Sequence, residues 1–243
     1  VKRNSTNKEF LRANWLRMAS ANYEVDPVIL KKYLPFGTEL EAHNGKHYVS
    51  LVAFRYCQTR LLNVPIPFHR MFEEINLRFY VKREVQPGVW RSEVAFTKLF
   101  FPKTALTLVA KYVYKENYET VKMLHEWKED DKHLITNYGL KNGDWHNFDL
   151  VTSKEAVPVL PGSDDEFFLK HYWGTSQINS DSCTLYKIEH PEWQKHVVMD
   201  SEINFDFGSI FGEEFAHLTH TEPDSIQLFD GSEVIVYRKK ILT

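Results

Sequence analysis

Between Phe72 and Val81 the chain alternates strictly. Ile75, Leu77, Phe79 and Val81 share one parity, and Glu74, Asn76, Arg78 and Tyr80 share the other. Period-two alternation predicts a β-strand with two chemically distinct faces. Same-face positions lie about 6–7 Å apart, so a carboxylate, an amide, a guanidinium and a phenol line up along the polar face. Two readings fit this face: a surface turned to solvent, or the lining of a polar pocket inside a barrel.

The rest of the chain reads as short strands broken by turn residues. Phe10–Tyr23 enters as a strand. Asp26-Pro27 then predicts a short helix, with Asp26 as N-cap and proline at the first helical position; Pro35 and Gly37 end it. Asn44-Gly45 signals a hairpin between 39–43 and 46–57. The second arm carries Tyr48, Ser50, Val52, Phe54 and Tyr56 on one face, and Val49, Leu51, Ala53, Arg55 and Cys57 on the other. Both faces are largely apolar, as in a barrel or sandwich core.

Pro87-Gly88 marks a turn before a strand over 89–101. After Pro102, apolar positions at Ala105, Leu106, Leu108, Val109, Tyr112 and Val113 follow helical spacing and predict a helix over 103–114. Turns are expected at Tyr138-Gly139 and Asn142-Gly143-Asp144. Ser163 and Glu166 have capping-box spacing ahead of a short helix. Two strands flank His190-Pro191, a brief helix covers 208–215, and 226–228 with 234–238 are expected to form a hairpin through Asp230-Gly231. Repeats and linkers are lacking, so one domain over 1–243 is the expectation, mainly β (α+β) with a few short helices.

Composition narrows the function. With 30 Lys and Arg against 33 Asp and Glu, and no basic block, the chain lacks the basic stripe of a nucleic-acid surface. Aromatics make up 14% of residues, which suits a β core better than a helical bundle. No run of about 20 apolar residues predicts a membrane span, and the N-terminal residues lack the apolar stretch of a signal peptide. A cytoplasmic location is the expectation. Cys57 and Cys183 match no metal or CxxC spacing; a disulfide and a pair of reduced thiols both fit, with thiols favoured in that compartment. A phosphate loop, dinucleotide fingerprint, nucleophile elbow and HExxH are all missing, and no cofactor is expected. His217/His220 and His43/His47 lack a third ligand at suitable spacing, so no metal is expected either.

Several segments resemble the YqjF-like family, bacterial proteins classed as a domain of unknown function. The resemblance runs nearly end to end. It is carried by Ala13-Asn14-Trp15, Tyr48-Val49-Ser50-Leu51-Val52-Ala53-Phe54, Pro65-Ile66-Pro67-Phe68-His69 and Glu74-Ile75-Asn76-Leu77-Arg78-Phe79-Tyr80-Val81. Tyr114-Lys115-Glu116-Asn117-Tyr118, His171-Tyr172-Trp173-Gly174 and Glu189-His190-Pro191-Glu192-Trp193 continue it. The resemblance implies the fold of acetoacetate decarboxylase, a cone-like antiparallel β barrel around a polar cavity. The decarboxylases' catalytic glutamate, in an aromatic-x-Glu strand start, corresponds to Glu74 of Phe72-Glu73-Glu74. Their Schiff-base lysine corresponds to Tyr118, which is followed by Glu119. Lys111, Lys115 and Lys122 are near in sequence but off the motif position. A phenol cannot form an imine, so Schiff-base acetoacetate decarboxylation is not expected.

The candidate site is therefore Glu74 and Tyr118 as catalytic groups, with Arg78, Asn76, Arg55 and Glu116 as ligand-binding groups. Arginine would grip a carboxylate bidentately and the glutamate would move a proton. The expected ligand is a small organic acid or carbonyl compound; any reaction would be lyase-like or a proton transfer. A non-catalytic protein with a side-chain-filled barrel is the competing reading. His171 and His190, with their neighbouring tryptophans, read as loop anchors held by hydrogen bonds. Oligomeric state is not legible.

Overall fold

The computed structural model describes residues 8–65, 70–102 and 118–243. Among the described residues fifteen strands join one sheet: β1 Glu9–Glu24, β2 Glu39–Leu40, β3 Tyr48–Leu61, β4 Val64–Pro65, β5 Phe72–Gln86, β6 Val89–Phe101, β7 Tyr118–Thr120 and β8 Lys122–Glu129 lead. The others are β9 His133–Asn142, β10 Asp144–Pro158, β11 Trp173–Asn179, β12 Ser182–Glu189, β13 Gln194–Asn204, β14 Ser225–Tyr237 and β15 Lys240–Leu242. Short helices α1 Pro27–Leu30, α2 Asp164–Leu169 and α3 Phe207–Phe211 sit between them. Among the described residues, no helix is long and apolar enough to cross a membrane.

The sheet runs β12-β11-β6-β5-β3-β1-β14, and β14 then pairs back to β12 through Ile188 with Val236 and Glu189 with Ile235. That contact closes a ring. Beyond β14 the sheet continues as β13-β10-β9-β8 and folds over the outside of the ring. Two cores result. One fills the ring interior with Val52, Phe54, Tyr56, Leu99, Ile188 and Val234. The other lies between the ring and the outer layer and holds Leu51, Ile75, Leu77, Phe79, Tyr138 and Phe148. Both faces of β3 and β5 are thus covered, which is why β3 is apolar on both parities. The expected barrel is present but not wholly antiparallel, since β6 pairs in parallel with β11 and β7.

Two bulges decide which side chains reach the interior. In β6, Arg78 faces Phe96 while Leu77 faces Lys98, so Thr97 is the extra residue. Before it Phe96 packs against the ring core; after it Leu99 and Phe101 belong to that core, whereas Ala95 and Phe100 belong to the outer one. In β1 the register against β3 shifts between Leu16 and Ala19, where Arg17 has φ 49°. Ala13 and Trp15 contact the ring core on one side of this point, Met18 on the other. A bulge inserts one residue and reverses the alternation beyond it.

Local chemistry explains most boundaries. Asp26 accepts from the Val28 amide at 2.8 Å to start α1. Ser163 accepts from Glu166 N, while Glu166 accepts from Gly162 N at 2.6 Å. Three expected turns need correction. Asn44-Gly45 does turn, with φ 51° and 81°, but the preceding β2 pairs with β5 instead of β3. Tyr138-Gly139 lies inside β9, where Gly139 fits beneath Leu124 and Asn147. Asp230-Gly231 lies inside β14, which pairs with β1 on both sides of it. A Cβ on Gly231 would fall 1.9 Å from the Trp15 carbonyl oxygen, so this glycine permits a close backbone approach rather than a reversal. The helix expected over 103–114 lies outside the described residues.

Candidate functional site

Strand β5 delivers its polar parity into the ring. Glu74, Asn76 and Tyr80 are buried and Arg78 is half-buried. Glu74, Asn76 and Arg78 line an interior cavity with Trp15 from β1 and His171 and His190 from the segments flanking β11 and β12. Its volume is about 40 Å³. The solvent-facing reading of this strand is therefore excluded by its position.

Glu74 accepts from the Tyr56 hydroxyl at 3.1 Å and from Asn76 Nδ2 at 2.8 Å. The amide orientation follows from that bond, because a carboxylate oxygen requires a donor. Among the described residues it leaves Asn76 Oδ1 buried without a partner, as is the indole N–H of Trp15. Buried polar atoms are nearly always satisfied, so an acceptor and a donor left open among the described residues set this cavity apart from the packed core around it.

Arg78 donates through Nη2 to the Phe168 carbonyl at 2.8 Å and through Nε to the Tyr80 hydroxyl at 3.4 Å. Among the described residues it has no carboxylate within ion-pair distance. Behind it the interior is polar: Tyr80 bonds Ser50, Ser50 bonds Asn22, and Asn22 bonds Gln227 at 2.6 Å. Neutral acceptors hold the guanidinium in place without cancelling its charge.

His171 is buried and within hydrogen-bond distance of Glu41, at 3.3 Å. Burial holds this imidazole below its ordinary pKa, overcoming the pull of Glu41. Burial would raise Glu41, but hydrogen bonds from His171 and Ser92 outweigh it and hold the carboxyl below its usual range. The contact is thus a neutral imidazole Nε2–H donating to a carboxylate. His190 is also held low, chiefly by burial; its Nδ1 lies 2.7 Å from the Pro191 carbonyl, and its ring stacks on Trp193 at 4.1 Å. These histidines do anchor their loops, as their sequence context suggested, and they also face the cavity.

The other expected site residues separate. Arg55 lies across from Glu73 on the opposite face of β3, with its guanidinium 5.5 Å from the Trp127 ring. It does not join Arg78, because neighbouring strand positions point to opposite sides. Glu73 there pairs with His125. Tyr118 opens β7, is buried and stacks on Phe101 at 4.8 Å. It shares the ring core with Tyr56 and Phe72 but is not among the side chains lining this cavity. Glu116 lies outside the described residues. Trp15 and Trp193 were not expected at a site; indoles bracketing a polar strand are indistinguishable in sequence from core aromatics. Both cysteines are free, and among the described residues no group of three His, Cys, Asp or Glu side chains converges on a metal position.

Comparison with solved structures matches this architecture to acetoacetate decarboxylase from Legionella pneumophila, with a TM-score of 0.65 and 13% identity over 100% of this chain and 91% of that one. An acetoacetate decarboxylase-like enzyme from Sphingomonas wittichii RW1 gives 0.63 and 11% over 97% and 94%. The enduracididine biosynthesis enzyme MppR complexed with pyruvate gives 0.63 and 11% over 99% and 92%. Identity this low establishes the fold alone. In sequence, the uncharacterized protein YqjF of Bacillus subtilis (strain 168) is 35% identical over 81 residues, 33% of this chain. That match spans 34% of the relative's own length. Residues 12–233 match the family DUF2071, described as an uncharacterized conserved protein, and the chain belongs to that family.

Proposed function

We propose that the protein binds a small organic acid or carbonyl compound inside the ring, with Arg78 holding the anionic group. The observation that carries this reading is a half-buried guanidinium on a cavity inside the ring, held by neutral acceptors and with no carboxylate partner among the described residues. An arginine in that state favours a bound anion, which restores the charge balance and accepts paired hydrogen bonds. Asn76 Oδ1 and the Trp15 N–H supply one acceptor and one donor for the remainder of the head group. Glu74, oriented by Tyr56 and Asn76, is the group placed to exchange a proton with the ligand. If a reaction follows binding it is a lyase-like or proton-transfer step without a Schiff base, since the position corresponding to the decarboxylase lysine is Tyr118 and a phenol forms no imine. A structural neighbour is complexed with pyruvate, which makes pyruvate the first probe.

The test is a thermal-shift panel of acetate, pyruvate and other short acids on wild type and Arg78→Met. A ligand at a hundredfold excess over its dissociation constant adds about 2.7 kcal/mol, or about 5–10 °C for a chain of this size. Wild type should shift and the variant should not. An equal shift in both proteins would remove Arg78 from the reading. No shift across the panel would favour the side-chain-filled, non-catalytic alternative.

A further inference from the structure

The cavity beside Arg78 limits the size of what enters it. One water takes up about 10–15 Å³ of such a space, so about 40 Å³ seats roughly three water-sized groups. A carboxylate with one short appendage suits it better than a longer chain.

Its polar atoms limit the chemistry of that appendage. Asn76 is 2% exposed, and its Nδ2 is engaged by Glu74 at 2.8 Å, so Oδ1 is the open atom of the amide. The indole N–H of Trp15 is the open donor on the same cavity, again among the described residues. Both side chains flank Phe54 of β3. The Trp15 ring lies 4.8 Å from the Phe54 ring, and Phe54 stands directly opposite Glu74, the residue that Asn76 holds. A ligand carbonyl oxygen only accepts, so it would serve the indole and leave Asn76 Oδ1 unpaired. An ammonium only donates, and would leave the indole unpaired. A hydroxyl donates one bond and accepts another. Each buried polar atom left unpaired costs binding, so the two open atoms discriminate among these three groups.

We infer that the ligand is a short 2-hydroxy acid, its carboxylate on Arg78 and its hydroxyl donating to Asn76 Oδ1 while accepting from the Trp15 N–H. This assignment rests on the anion-binding reading above and narrows its ligand from small acids in general to those bearing a hydroxyl. Asn76 and Arg78 are same-face neighbours on β5, about 6–7 Å apart along the strand. A hydroxyl that meets Asn76 while the carboxylate meets Arg78 therefore belongs on the carbon next to the carboxylate. Arg78 supplies affinity for the anion, and Trp15 with Asn76 supplies the choice among acids.

Three acids of three carbons isolate the hydroxyl. Propionate, pyruvate and lactate share a carboxylate and differ at the second carbon, which offers nothing, an acceptor only, or a donor and an acceptor together. Dissociation constants are measured on the intact chain by ligand-observed NMR, with the two lactate enantiomers taken separately. One enantiomer should bind about tenfold more tightly than pyruvate, the factor expected for one further satisfied buried atom, and more tightly still than propionate. Trp15→Phe keeps a ring against Phe54 and removes the N–H, and it should weaken that lactate about tenfold and leave propionate unchanged. The wild-type series involves no substitution, so it decides the matter even if Trp15→Phe does not fold. Lactate no tighter than pyruvate, a lactate affinity that survives Trp15→Phe, or alanine binding more tightly than lactate would overturn the hydroxyl assignment and leave the carboxylate site standing. Failure of every acid would instead remove the anion-binding reading and this one with it.

Discussion

The Tyr80 hydroxyl lies 2.6 Å from the Ser50 hydroxyl, and its surroundings fix which of the two donates. Ser50 has one proton and gives it to Asn22 Oδ1. Tyr80 must therefore donate to Ser50, which leaves its own oxygen to accept from Arg78 Nε. Hydrogen bonds of one polarity thus run from the cavity arginine through two hydroxyls to a fully buried amide. Bonds aligned in this way polarise one another, and this run sets the position of the group proposed to bind anions.

Tyr80→Phe should break the run at its centre. Ser50 loses a donor and Arg78 loses the acceptor for Nε, so stability is expected to fall by about 1–3 kcal/mol. Acid binding should weaken by about tenfold, since misplacing the guanidinium forfeits about one charged hydrogen bond. Combined with Ser50→Ala in a double-mutant cycle by urea unfolding, the pair should couple by about 0.5–3 kcal/mol. Strict additivity would mean that the two hydroxyls act separately.

The alternation in β5 made the central part of this site legible, because period two alone places Glu74, Asn76, Arg78 and Tyr80 on one face. Whether that face meets water or a cavity depends on ring closure, and two residue pairs between β12 and β14 leave little mark on the sequence. The bulges were hidden for a related reason. A strict reading of 94–101 would put Lys98 on the same side as Phe96; the extra residue Thr97 turns Lys98 outward, where it bonds the Ile210 carbonyl and Glu119. Gly231 misled in another way. Asp-Gly is a strong turn signal, yet here the missing side chain serves contact with Trp15 within a continuous strand. Arg55 was misplaced because adjacency in sequence to an inward-facing residue puts a strand residue on the other face.

The pH dependence of stability should carry the signature of His171. Burial holds its folded pKa below the ordinary value, so the unfolded chain takes up a proton near pH about 6.5 that the folded chain declines until lower pH. The stabilisation is complete above that pH and is lost as pH falls through the folded value. Glu41, also held low in the folded state, adds a second loss in the same direction below about pH 4.3. His171→Gln, whose side-chain amide can still donate toward Glu41, should flatten the upper step in urea midpoints measured at pH 7, 6 and 5. Parallel curves for the two proteins would show that the imidazole is not excluded from protonation by folding.

Gly231→Ala tests the continuous-strand account of β14. The residue has φ 84° and its absent Cβ faces backbone, not a flexible side chain. Relief requires β1 and β14 to separate where they are tightly paired, and a left-handed alanine adds its own cost. A loss of about 3 kcal/mol or more is expected, as a lower urea midpoint or as failure to fold. A near-neutral result would mean that the strand relaxes freely, as a turn would.

The pairing of β5 with β6 contains a buried carboxylate held between two arginines. Glu93 is fully buried and is held by Arg83 at 3.0 Å and by Arg91 at 2.5 Å. Arg83 also bonds the Phe36 carbonyl at 2.8 Å, so the carboxylate indirectly fixes the segment entering β2. Removing one partner of a buried pair leaves the other charge uncompensated, which costs about 3–5 kcal/mol. Glu93→Ala should therefore lower stability by about that amount in urea unfolding. Glu126→Ala offers a contrast within the same protein, because its pair with Lys128 is more than 60% exposed on both sides, and such pairs contribute about 0–1 kcal/mol. If the two variants cost the same, burial is not what gives the Glu93 cluster its weight, and its hydrogen bonds to the strands contribute no more than a surface contact.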